Sequence, residues 1–174
     1  MKKSDINPLP QYYGRYINLV GDFELDHAFQ KSLTEIDLLD LNLLTNVGLK
    51  TYAPGKWTIN EIIQHLIDWE RIFCYRALLF ARQIEKNPPG YDQNIMAANS
   101  KANARNINDI INELKTVRLS TVSLFKSFDN EDLLKIEISW EHEISVLAIG
   151  FTMIGHQIHH LNFIKTNYYK LADQ

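Results

Sequence analysis

The sequence predicts an all-α protein, an up-down four-helix bundle with short additional helices. Three observations lead there. Chain breakers are scarce and clustered: seven glycines and five prolines in 174 residues, the prolines at positions 8, 10, 54, 88 and 89. Between them, four long segments carry apolar residues at three- and four-residue steps, the signature of helices with one buried face. Single-faced helices bury those stripes best against one another, which is the logic of a four-helix bundle. No internal repeat, low-complexity tract or linker interrupts the pattern. The chain therefore reads as one domain over 1–174, with its bundle core at about 20–170.

The lead-in, residues 1–21, holds Pro8, Pro10 and a cluster of Tyr12, Tyr13 and Tyr16, with a short helical turn over 12–20. The tyrosines are read as packing this arm onto the body, with apolar rings and polar tips. The first long helix is placed at 24–45 on Leu25, Ala28, Phe29, Leu33, Ile36, Leu39 and Leu43. The leucine-rich end, 38–44, also fits a break and restart, and Gly48 is a stop signal. After the Pro54–Gly55 turn, Thr58 and Glu61 form a capping box, with Trp57 positioned as a hydrophobic staple. The second helix then runs from about 59 to 85 along Ile59, Ile62, Leu66, Trp69, Phe73, Ala77 and Phe80, with Pro88–Pro89–Gly90 ending the element. A short helix begins near Asp92. The third long helix spans 106–127, capped by Asn106 or Asn108. Residues 128–144 alternate Ile136, Ile138 and Trp140 with polar residues, which fits a hairpin, but the stretch is read as a loop with local order. Ser145 caps a fourth helix at 146–170.

Composition narrows the function. Hydrophobic residues make up 45% and charged residues 22%, ordinary for a globular domain. A net charge of −3 argues against a nucleic-acid binder, which carries a basic stripe. The single cysteine, Cys74, excludes an internal disulfide framework and fits a reducing compartment. No run approaches the length of a membrane span, and Met-Lys-Lys-Ser-Asp opens no apolar signal-peptide core. A cytoplasmic protein acting on a small molecule, with no nucleic acid and no membrane partner, is expected.

Three of the six histidines fall within Gly155-His156-Gln157-Ile158-His159-His160. On a helix, His156 and His160 share one face, one turn apart, in line with Met153 and Ile164. Two imidazoles on a buried face need partners, and one metal ion satisfies both. His65, on the flank of the second helix's apolar stripe, is the third candidate ligand. Three histidines from two helices make an open site, with positions left for water or substrate; a water held there becomes acidic enough to ionise near neutral pH. Histidine ligation alone leaves zinc, nickel, iron and copper open. The zincin pattern His-Glu-x-x-His is set aside, because Gln157 stands where its general base would be. His159 points about a quarter-turn away and is read as a cavity-edge residue; His27 and His142 are read as surface residues. Asp68, Arg76 and Asp92 are candidate substrate anchors or supports for the ligands, with salt bridging or capping as the rival reading. Cys74 is read as a packing residue rather than a nucleophile.

The stretch from Tyr52 to Leu78, through Pro54-Gly55, Trp57, Thr58, Glu61 and His65, together with Gly155–His160 and Pro89-Gly90-Tyr91-Asp92, resembles the DinB superfamily of metal-binding four-helix bundles (DinB/YfiT-like). The resemblance covers roughly residues 20–170. It implies a divalent-metal site on His65, His156 and His160 and a homodimer. Some members of the family are thiol S-transferases or isomerases that use a low-molecular-weight thiol as cosubstrate, and others are classed as metal-dependent hydrolases. Many carry Glu where Gln157 stands, which leaves the ligand set intact and removes an acid/base group at that position. The competing reading is a non-catalytic stress-related metal-binding or sensor bundle.

Overall fold

The computed structural model describes residues 1–84 and 87–172. Its order is α1 (Gly14–Ile17), α2 (Leu25–Asp37), α3 (Leu41–Val47), α4 (Ile59–Arg82), α5 (Gln93–Asn99), α6 (Ile107–Lys126), α7 (Asn130–Leu134), strands β1 (Ile136–Ser139) and β2 (His142–Ser145), and α8 (Val146–Asn167). The four-helix bundle is built from α2, α4, α6 and α8. The first predicted helix does break: Asp40 caps the restart by accepting from the Leu43 N–H, and Gly48 ends it at positive φ. Thr58 and Glu61 form both halves of the capping box. Helix α4 stops at Gln83, which adopts the left-handed conformation, ahead of the prolines; residue 85, the predicted end, lies outside the described residues.

Two expectations are corrected. The segment after α6 is not a loop with local order but a short helix followed by an antiparallel hairpin, with Ile136 opposite Ser145 and Ser139 opposite His142. The helix directions also depart from strict alternation. Gln64 meets Arg105, Arg71 meets Glu113 and Glu70 meets Arg118, so α4 and α6 run parallel. Ser32 meets Arg118 while Asp37 meets Lys115, so α2 and α6 are antiparallel. Leu25 lies by Gly150 while Ser32 and Glu35 meet Gln157, so α2 and α8 are parallel. The order is up-down-down-up. Its cause is the connection from 83 to 106: α4 is 24 residues long, about 36 Å at the helical rise, and the chain must travel back along it before α6 can start at the same end. That return path carries the Gly90-Tyr91-Asp92 stretch and α5.

The core forms two apolar clusters. One packs the start of α2 and α8 against the ends of α4 and α6, around Phe29, Phe80, Phe125 and Phe151. The other packs the opposite end, around Ile59, Ile63, Ile110, Leu114 and Ile164. Between them lie polar side chains. Arg118 donates from Nε and Nη2 to the two Glu70 oxygens at 2.7 and 2.8 Å, and Thr121 donates to the same carboxylate. Helix α8 is buried on nearly all sides from Val146 to Gln157, as expected of a helix that is apolar all round. No helix among the described residues is long and apolar enough to cross a membrane.

Candidate metal centre

His65 comes from the second turn of α4, and His156 and His160 from successive turns of α8. The three Nε2 atoms converge: His65 to His156 is 3.1 Å, His156 to His160 is 3.0 Å, and all three lie within 4.8 Å of one another. Neutral imidazole presents one lone pair or one N–H at Nε2. A hydrogen bond accounts for one of these contacts; a cation among the three accounts for both. Two imidazoles on an ion at about 2.0–2.1 Å sit about 3–3.4 Å apart, so the observed spacing fits. Burial holds the rings neutral with their lone pairs available. It lowers the His65 pKa to about 4. Burial, then His65 and His159, lowers His160 to about 3. His156, the most enclosed, is held well below its ordinary value by burial and by the two neighbouring histidines.

The histidines form the floor of a cavity of about 580 Å³, the size of a small-molecule site. Trp57 packs over His65 with ring centroids 5.1 Å apart, rather than serving only as a staple, and Tyr16 sits edge-on to His156 at 5.1 Å. The far wall comes from Trp69, Phe73 and Arg76 of α4, Tyr12 and Tyr13 of the N-terminal arm, Tyr91 of the return path and Trp140 at the hairpin tip. The tyrosine arm thus does more than pack against the body. The hairpin tip closes down tightly: a β-carbon on Gly90 would lie 2.6 Å from the Trp140 ring.

The remaining sequence candidates separate. Arg76 and Asp92 line the cavity. The Asp92 carboxylate is engaged in capping α5 through the N–H groups of Asn94 and Ile95. Asp68 is not brought to the cavity; it faces α6, accepting from Gln64 Nε2 at 2.9 Å with Arg71 4.0 Å away. His159 is exposed at the cavity rim, beside Tyr16 and His160. Gln157 points the other way, donating from Nε2 to the Ser32 carbonyl and to Glu35, and ties α8 to α2. Cys74 is largely buried, 3.2 Å from the Thr121 hydroxyl, and burial pushes its thiol up to about 11. His27 is exposed and stacked on Phe23. His142 keeps partial exposure and also stacks on Tyr12 at 4.7 Å and abuts Trp140.

The fold and the three-histidine floor define a helical bundle with three converging imidazoles in an open cavity. The sequence profile of the DinB superfamily matches residues 25–164, and the chain belongs to that superfamily. Among solved structures it is similar to YfiT from Bacillus subtilis, described as "a probable metal-dependent hydrolase with an unusual four-helix bundle topology"; the TM-score is 0.62 at 15% identity, covering 92% of this chain and 86% of that one. Comparison with curated protein sequences finds no match.

Proposed function

We propose that this chain is a metal-dependent enzyme, with His65, His156 and His160 holding one divalent cation (zinc, nickel or iron) at the floor of the cavity. The observation that carries the reading is the convergence of three neutral Nε2 atoms on a chamber open to small molecules. A bound cation supplies Lewis acidity and lowers the pKa of a coordinated water or thiol. The protein's own groups do the rest. The aromatic walls exclude bulk water, and Trp57 and Tyr16 fix the planes of the ligand rings. His159, its pKa lowered by partial burial and by Arg15, stands neutral at the rim, where it can take up a proton.

Two reactions fit this chamber: hydrolysis, which the description of YfiT favours, and transfer of a low-molecular-weight thiol, which the family resemblance favours. Gln157 lies outside the chamber, so neither reaction loses a group through it. A non-catalytic metal-binding bundle is the weaker reading, because structural zinc is usually closed by four protein ligands. We further infer a cytoplasmic homodimer, a point that light scattering on the purified chain decides for assembly.

Metal content by mass spectrometry, on protein purified without an affinity tag, tests the centre. Wild type and His159→Ala are expected to hold about one equivalent, and His156→Ala less than about a tenth of that. Wild type that holds no metal and takes none up in titration would remove the proposal.

A further inference from the structure

Arg76 is 1% exposed, and no carboxylate among the described residues pairs with it. One guanidinium nitrogen, Nη2, donates to the Pro89 carbonyl at 2.8 Å, while Nε is buried with no partner. Trp69, two turns earlier on the same face of α4, also has a buried and unpartnered donor at Nε1. Both side chains line the cavity, with the guanidinium carbon 5.7 Å from the Trp69 ring centroid. Burying a cation without a counter-charge is costly, and an unmet buried donor adds to that cost. Contact with the Trp69 and Phe73 rings offsets part of it and satisfies neither N–H.

In the lining as a whole cationic groups outnumber carboxylates, with Arg15 and Arg76 against Asp92. Arg15 stands over Tyr12 and Tyr16 in the same chamber. The one carboxylate in the lining, Asp92, is committed to the α5 cap. In a chain whose net charge is −3, this cavity is locally cationic.

We propose that Arg76 and Trp69 Nε1 form an anion subsite that holds a carboxylate of the substrate. Resting on the metal-dependent reading above, this places the substrate's reacting group at the histidine floor. His65 and Arg76 are eleven residues apart on α4, about 16 Å along the axis. A molecule touching both ends is therefore an extended carboxylic acid several bonds long, with an apolar or aromatic middle lying against Trp69 and Phe73.

All three tryptophans, Trp57, Trp69 and Trp140, line this cavity, so intrinsic fluorescence reports on its occupancy. The full chain, as purified and again after chelation, is titrated with benzoate, phenylacetate and 3-phenylpropionate, each beside its neutral amide. At least one carboxylate is expected to bind saturably in both preparations and more tightly than its amide. Arg76→Gln is expected to weaken the carboxylate about tenfold or more, the scale of a charge-assisted hydrogen bond, without changing the amide; Arg76→Lys restores part of the loss. Trp69→Phe, which keeps the ring and removes the donor, weakens the carboxylate alone and serves should Arg76→Gln fail to fold. Wild type that binds no carboxylate overturns the subsite. Equal binding of acid and amide does too, as does carboxylate binding that needs metal and ignores Arg76, which would make the carboxylate a metal ligand. Carboxylate binding in a protein that never holds metal keeps the subsite and removes only the metal-dependent reading.

Discussion

Tyr16 and Gly155 meet backbone to backbone: a β-carbon built on Gly155 would lie 2.0 Å from the Tyr16 carbonyl oxygen. This contact lets α1 lie flat on α8 directly beside His156, and it brings Tyr12, Tyr13 and Tyr16 to the cavity. Gly150, on the same helix, meets only the side chains of Leu25 and Phe125, at 3.0 Å. Alanine improves helix propensity at either site by about 1 kcal/mol. Gly155→Ala must displace backbone, and we expect a net loss of about 1–3 kcal/mol, the range for overpacking. Gly150→Ala, relieved by side-chain adjustment, should fall closer to neutral. Urea unfolding of the two variants beside wild type checks the difference.

The histidine centre was legible because its signal is local. His156 and His160 are four apart on an apolar stripe, and His65 flanks another. The tyrosine arm, the Trp140 hairpin and the parallel pairing of α4 with α6 depend on where the 83–106 return path runs, which no spacing within a helix encodes. The placement of Asp68 away from the cavity has a related cause. Its position on α4 is close to that of His65, but it turns toward the α6 side of the helix, and the identity of that neighbour is a matter of topology. Glu70 and Arg118 leave a trace in the sequence. Glu70 interrupts Leu66, Phe73 and Ala77, and Arg118 interrupts Leu114, Val122 and Phe125, each a charge inside an apolar stripe.

Acid should destabilise the metal-free protein well before its carboxylates titrate. His65 and His160 have folded pKa values of about 4 and about 3, against 6.5 for a free imidazole. Because the folded values are depressed, their contribution to stability is complete above about 6.5. It is lost as pH falls toward the folded values, where the unfolded chain binds more protons. The slope is at most about 1.4 kcal/mol per pH unit per histidine, and smaller for the partly exposed His160. Thermal melts of chelated protein between pH 7 and 4 should show a falling Tm. Replacing both His65 and His160 by Gln should flatten that fall; an unchanged slope would place its origin elsewhere.

Cys74 should be inert in the native state. The thiolate is the reactive form, and burial pushes this thiol up to about 11. Iodoacetamide at pH 8 should label the folded chain at least about tenfold more slowly than the same chain in denaturant, consistent with the thiolate fraction at such a pKa. Rapid native labelling, read by intact-mass spectrometry, would show that the thiol is reachable and return it to consideration as a nucleophile.

The Glu70–Arg118 pair separates two meanings of a buried ion pair. Both residues are almost fully enclosed, at 3% and 1% exposure, and the guanidinium also donates to Ser32 on α2. The pair therefore joins three helices at the level between the two apolar clusters. Removing one member strands the other's charge. Arg118→Met should cost about 3–5 kcal/mol, because Glu70 keeps only the Thr121 hydroxyl. The double variant Glu70→Leu with Arg118→Met removes both charges, and its cost should be well below that of Arg118→Met alone, since an apolar replacement of a buried pair is often near neutral. Chemical denaturation of the two variants decides between them. A double variant as unstable as the single would mean that the bonds to Ser32 and Thr121, rather than the charge balance, hold α2, α4 and α6 together.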